Sequence, residues 1–245
     1  MVQIEDHRLI TGKGKFTANI RPTEALVVKF VRSPIACGVI RSIDIRDAKS
    51  MPGVVNIFTA QDMAADGVTH MLDTAKPVRD DGGTIINPRR PILNSSDIKH
   101  LGEPIAIIIA QTSEQADNAL EAIFVDYSDS DSALLSSENT DSPLVWPEGQ
   151  DNYASYHHVG NATKLQEAEA NAAHLITVPI HISRITAVAM EPRISLCDID
   201  PEGKLIFTTS TQNPFALRAE IMKTFSLETT NIQVIAQDVG GSFGM

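Results

Sequence analysis

Cysteine is nearly absent from this chain: Cys37 and Cys197 are the two among 245 residues. No second pair completes a CxxC or a four-thiolate set, so neither an iron–sulfur cluster nor a disulfide scaffold is encoded here. Each stands in an apolar, strand-like stretch, and both are expected as buried free thiols. Long apolar runs are also missing. The longest, residues 105–110, falls far short of the ~20 residues that cross a bilayer. The first six residues, Met1-Val2-Gln3-Ile4-Glu5-Asp6, lack the basic-then-apolar order of a secretory signal. A cytoplasmic chain without a membrane partner is expected. Positive charge is scarce: 31 acidic residues stand against 20 basic ones, a net charge of −11, and no Lys/Arg run interrupts it. Such a field repels a phosphate backbone, so nucleic acid is not an expected partner. The seven histidines include the neighbours His157 and His158, which point apart on a strand. No Asp or Glu joins them at helical spacing to make a metal site.

What is present is an ordinary globular composition, 42% hydrophobic and 21% charged, and a length that suits two cores better than one. Residues 25–31 are β-branched and apolar, and 39–45 alternate at period two, so both predict strands. A short helical turn at 47–51 ends at Pro52-Gly53 before a strand at 54–58. Residues 66–94 predict a long irregular excursion. Then comes a strand, helix, strand unit: an apolar strand at 105–110, a helix from an N-cap at Ser113 through Ile123, and a strand at 124–127. From 128 to 142 the composition shifts to Ser, Asp, Glu and Asn, which marks a domain linker. Beyond it the pattern predicts a helix at 162–173 and a strand at 174–183. A hairpin of 194–199 with 205–210 follows, then a helix at 215–225 opened by Asn213-Pro214, and a strand at 232–236.

Three clusters hold chemistry in reserve. Asp238-Val239-Gly240-Gly241-Ser242-Phe243-Gly244 allows close backbone approach and convergent N–H groups, the makings of an anion or oxo-ligand cradle. It matches neither GxGxxG nor a P-loop, and a plain turn between strands explains it equally well. Ser210-Thr211-Gln212-Asn213 stands where a strand hands over to a helix, and Gln212 offers amide donors and an acceptor without charge. A capping cluster is the simpler account of it. Met190-Glu191-Pro192-Arg193 reads as a structural ion pair.

Taken in order, Arg8 to Phe16, Val31-Arg32-Ser33-Pro34, Pro52-Gly53-Val54, Leu101-Gly102-Glu103-Pro104-Ile105-Ala106, Val125-Asp126-Tyr127, Met190-Glu191-Pro192-Arg193, Ser210-Thr211-Gln212 and Gly240-Gly241-Ser242-Phe243-Gly244 resemble the large, molybdenum-binding subunits of the xanthine dehydrogenase, aldehyde oxidase and carbon monoxide dehydrogenase type. The resemblance covers nearly the whole chain and implies an α+β (mixed α/β) protein. An α/β hammerhead domain at 1–135 would be followed by the first part of a molybdopterin-binding domain at 136–245.

The resemblance further implies a molybdopterin-type cofactor. Gln212 would face a metal oxo ligand, and Gly241, Ser242, Phe243 and Gly244 would supply backbone contacts. The implied reaction is hydroxylation of an N-heterocycle or aldehyde with water as the oxygen source. FAD and [2Fe-2S] clusters would lie on an FAD subunit and an iron–sulfur subunit. No catalytic residue is expected within this chain, because the general base would belong to the remainder of the molybdenum-binding subunit. Ser33-Pro34-Ile35-Ala36-Cys37 departs from the family's Ser-Pro-His-Ala-His, which removes any histidine role in that turn. The competing readings are a folded interaction module without catalysis and an unrelated nucleotide-binding α/β protein.

Overall fold

The computed structural model describes residues 6–71, 77–133, 141–183 and 185–244. A short helix, α1 (Asp6–Ile10), precedes two three-stranded antiparallel sheets. In the first, β1 (Val27–Arg32) and β3 (Val54–Thr59) flank β5 (Pro104–Ala110). In the second, β4 (Asp97–Ile98) and β6 (Phe124–Asp129) flank β2 (Gly38–Asp44). Helices α2 (Arg46–Lys49) and α3 (Ala60–Ala65) adjoin β3. Strand β5 is central because its run is apolar on both faces: Ile105, Ala106, Ile108 and Ala110 are wholly buried.

Helix α4 (Ser113–Ala122) lies against β1 and β5. Ala116 and Ala119, both fully buried, let its backbone come close to the sheet. Its N-cap is Thr112, whose side chain accepts the Gln115 N–H at 3.2 Å, one residue before the expected Ser113. The strand, helix, strand unit is present, but β5 and β6 enter different sheets, and α4 bridges them.

Glu103 is buried between the sheets' loops. It accepts Asn94 Nδ2 and the Lys99 N–H, both at 2.8 Å. Arg79, with a side chain 4% exposed, is held by Asp81 and by Asp151, which fastens residues after the acidic stretch onto the first half of the chain. The expected linker at 128–142 falls partly on residues 134–140, which lie outside the described residues.

The second half is built on β7 (Ser195–Ile199), β8 (Leu205–Thr209), α6 (Pro214–Thr224) and β9 (Ile232–Ile235). The hairpin turn is closed by Asp200 Oδ1, which accepts the N–H groups of Glu202 and Lys204 at 3.0 and 2.9 Å. Strands β8 and β9 run parallel and adjacent, joined through α6. Asn213 caps α6 by accepting the Ala216 N–H at 3.0 Å.

Two segments differ from what their residues predict. Residues 174–183 form no strand: their period-two apolar row, Ile176, Val178, Ile180 and Ile182, is 68–84% exposed, and among the described residues no strand pairs with it. Helix α5 (Ala162–Asn171), just before it, also buries no residue. The cysteines are not buried either. Cys37 lies half-buried in the turn before β2, and Cys197 is exposed on β7, an edge strand.

Candidate functional site

The parallel pairing of β8 and β9 decides the geometry. Their C-terminal ends coincide, so Ser210 to Gln212, leaving β8, and the glycine loop, leaving β9, emerge at one edge of the sheet, where ligands bind in open α/β sheets. There Ser242 Oγ donates to Gln212 Oε1 at 2.7 Å. With its oxygen engaged, the amide of Gln212 carries its NH₂ donors on the opposite side. Together with Val188, Glu191, Arg193, Gly241 and Phe243, Gln212 lines an open cleft of about 390 Å³.

Of the expected site residues, Gln212, Gly241 and Phe243 line this cleft and Ser242 bonds Gln212, while Gly244 is not among the lining residues. No acceptor among the described residues takes the N–H of Gly241, Ser242, Phe243 or Gly244. Gly241 adopts φ +145°, and a Cβ there would lie 2.8 Å from Ala189 Cβ. A side chain at this position is therefore excluded on two grounds, conformation and space.

Two partners of the loop are invisible in residue spacing. Asp238 is gripped by the N-terminal segment: Arg8 makes a two-nitrogen pair with its carboxylate, Oδ2 accepts the Lys15 N–H at 2.5 Å, and the Asp238 N–H donates to the Lys15 carbonyl at 3.1 Å. The Arg8 guanidinium, followed by the Lys15 N–H, lowers the Asp238 pKa from 3.8 to about 2. Glu191 is the other partner. Its Oε2 accepts the Gly240 N–H at 2.8 Å instead of pairing with Arg193, which corrects the ion pair expected within Met190 to Arg193. Both residues lie in motifs that the sequence displays. What the sequence withholds is that Arg8 meets Asp238 across 230 positions and Glu191 meets Gly240 across 49.

The signature of the aldehyde oxidase and xanthine dehydrogenase a/b hammerhead domain matches residues 11–131, and that of the molybdopterin cofactor-binding domain matches residues 145–245. The chain belongs to the aldehyde oxidase and xanthine dehydrogenase family. It is 28% identical over 98% of its length to the nicotine 6-hydroxylase large subunit of Paenarthrobacter nicotinovorans, of which it covers 29%. It is 26% identical over 99% of its length to the nicotinate dehydrogenase large molybdopterin subunit of Eubacterium barkeri, of which it covers 54%. Quinoline 2-oxidoreductase from Pseudomonas putida 86 superposes with a TM-score of 0.84 at 25% identity, over all of this chain and 30% of that one. The chain thus corresponds to an N-terminal portion of the family's large subunit and spans between about a third and a half of the length of these relatives.

The family's cofactor is rich in negative oxygens, and the edge described above suits such a group. The N–H groups of Gly241 to Gly244 have no acceptor among the described residues, and Gly241, Phe243 and Gln212 line one cleft, with a glycine where a side chain would intrude. Among the described residues no group of three or more His, Cys, Asp and Glu side chains is arranged to hold a metal ion.

Proposed function

We propose that this chain forms one wall of the molybdopterin site in a hydroxylase or dehydrogenase that oxidises an N-heterocycle or aldehyde with water as the oxygen source. The observation that carries this reading is the 2.7 Å bond from Ser242 to Gln212, which joins the two candidate binding motifs at one sheet edge. When bound, the cofactor supplies the two-electron oxidation. Gln212 and the N–H groups of Gly241 to Gly244 hold its oxygens by hydrogen bonds, and Phe243, 66% exposed, gives an apolar side to the cleft.

The remainder of the molybdenum-binding subunit contributes the general base and most of the cofactor contacts. FAD and [2Fe-2S] clusters on partner subunits carry the electrons away. The division between hammerhead and molybdopterin-binding parts lies near 135/136. A loop and one glutamine enclose too little of a cofactor to retain it alone.

The test is to recover the tagged chain from its own cells with the polypeptides that accompany it, then measure molybdenum, flavin and iron and the dye-linked oxidation of a panel of N-heterocycles and aldehydes in ¹⁸O-water. The complex should contain molybdenum and label its product, whereas the chain stripped of its partners should contain none. Stoichiometric molybdenum in the chain alone, or a complex without molybdenum, overturns the reading. The second outcome would favour a non-catalytic interaction module, for which the exposed row Ile176, Val178, Ile180 and Ile182 speaks independently.

A further inference from the structure

Before the glycine loop turns over the cleft, its backbone is fixed at two points. The first is Asp238. The second is Gly240, which exchanges two hydrogen bonds with Glu191: its N–H donates to Oε2 at 2.8 Å, and its carbonyl accepts the Glu191 N–H at 3.2 Å. Glu191 also fills the space behind Gly240, where an added Cβ would lie 2.4 Å from Glu191 Cβ. The other carboxylate oxygen, Oε1, is buried without a hydrogen-bond partner. A side chain present for its charge would turn both oxygens to a cation or to water; this one gives a single oxygen to a single peptide. Hydrogen bonds from backbone N–H to a carboxylate are short and stronger than neutral ones. This one therefore restrains the rotation of the peptide between Val239 and Gly240, the point from which the loop of Gly241 to Gly244 starts.

We infer that Glu191 is a positioning residue: through Gly240 it aims the N–H groups of Gly241 to Gly244 at the cleft that Gln212 lines. Glu191 borders the same cleft, but its one hydrogen-bonded carboxylate oxygen is given to the Gly240 peptide, and the role inferred for it acts through that peptide. A glutamine at this place keeps an oxygen acceptor of the same reach, whereas an alanine removes it. The inference rests on the proposed reading of the loop as a cofactor wall only in its second measurement.

The first measurement is deuterium exchange of the Gly240 amide, resolved by electron-transfer fragmentation, in the full chain and its Glu191→Ala and Glu191→Gln variants. Glu191→Ala should speed Gly240 exchange at least tenfold while the amides of β8 and β9 keep their rates, and Glu191→Gln should stay within about threefold of the parent. Unchanged Gly240 exchange in Glu191→Ala overturns the inference. If Glu191→Ala does not fold, Glu191→Gln alone decides: loss of Gly240 protection in a variant with intact β8 and β9 shows that oxygen acceptance is not what holds the peptide. The second measurement is molybdenum per chain in the complex recovered from cells. Glu191→Ala should lower it severalfold and Glu191→Gln should restore it; equal loading of all three overturns the positioning role. A parent complex without molybdenum counts against the proposed function, and the exchange result then stands or falls by itself.

Discussion

Asp238 joins the first residues of the chain to the glycine loop, and its carboxylate is held well below the usual range by Arg8 and the Lys15 N–H. A depressed carboxylate pKa contributes stability above the unfolded value and loses it as pH falls through the folded one. The tie should therefore be fully present from pH 7 down to about 5, fade as pH falls further and be lost below the folded value near 2. Thermal melts should show it: the Tm gap between the parent and Asp238→Asn should be constant above about pH 5 and close in acid. A gap that closes between pH 7 and 5 would mean that the carboxylate is not held by Arg8. Glu103 offers a second test at this scale. Glu103→Ala strips acceptors from Asn94 Nδ2 and the Lys99 N–H in a buried place, and should cost about 3 kcal/mol in urea unfolding. A loss below ~0.5 kcal/mol, the size of a surface effect, would show that water replaces these bonds freely.

Among elements, α6 matters most to the site, since it joins β8 to β9 and starts one residue after the Asn213 cap. Asn213→Ala should cost about 1 kcal/mol and loosen Gln212 next to it; urea unfolding gives the first and exchange of the Gln212 amide the second. Local chemistry made this part readable from residues alone. Asn-Pro opens a helix, Asp200 to Lys204 closes a hairpin, and one intervening helix brings two strands parallel, so the meeting of Gln212 with the loop follows from topology. The row at 174–183 misled for a physical reason: alternation states which side chains share a face, while a strand also needs a neighbour for its backbone. The separation of β5 and β6 into different sheets was hidden similarly, because α4 has the same sequence whichever sheet receives the chain after it. Glu191 was hidden because Arg193 offered an opposite charge nearby, and no pattern reports a partner 49 positions away.

At the scale of the molecule, the exposed row is the liability. Ile176, Val178, Ile180 and Ile182 present an apolar face with an unpaired backbone edge, a combination that promotes association. The isolated chain should sediment as dimers or larger species at micromolar concentration. Replacing Val178 and Ile180 by lysine should shift it toward monomer; monomeric parent protein would show that the row is covered from within the chain. The grip of Arg8 on Asp238 has a consequence of another kind, in the timing of synthesis. The partner of Arg8 is synthesised 230 residues after it, a delay on the order of 10 to 50 s at ~5–20 residues per second. The N-terminal segment must wait that long with its guanidinium unpaired by Asp238, while the hammerhead sheets have all their strands well before. The anchor of the glycine loop thus forms after the hammerhead sheets, and a chain released between the two would have sound sheets and no fixed loop.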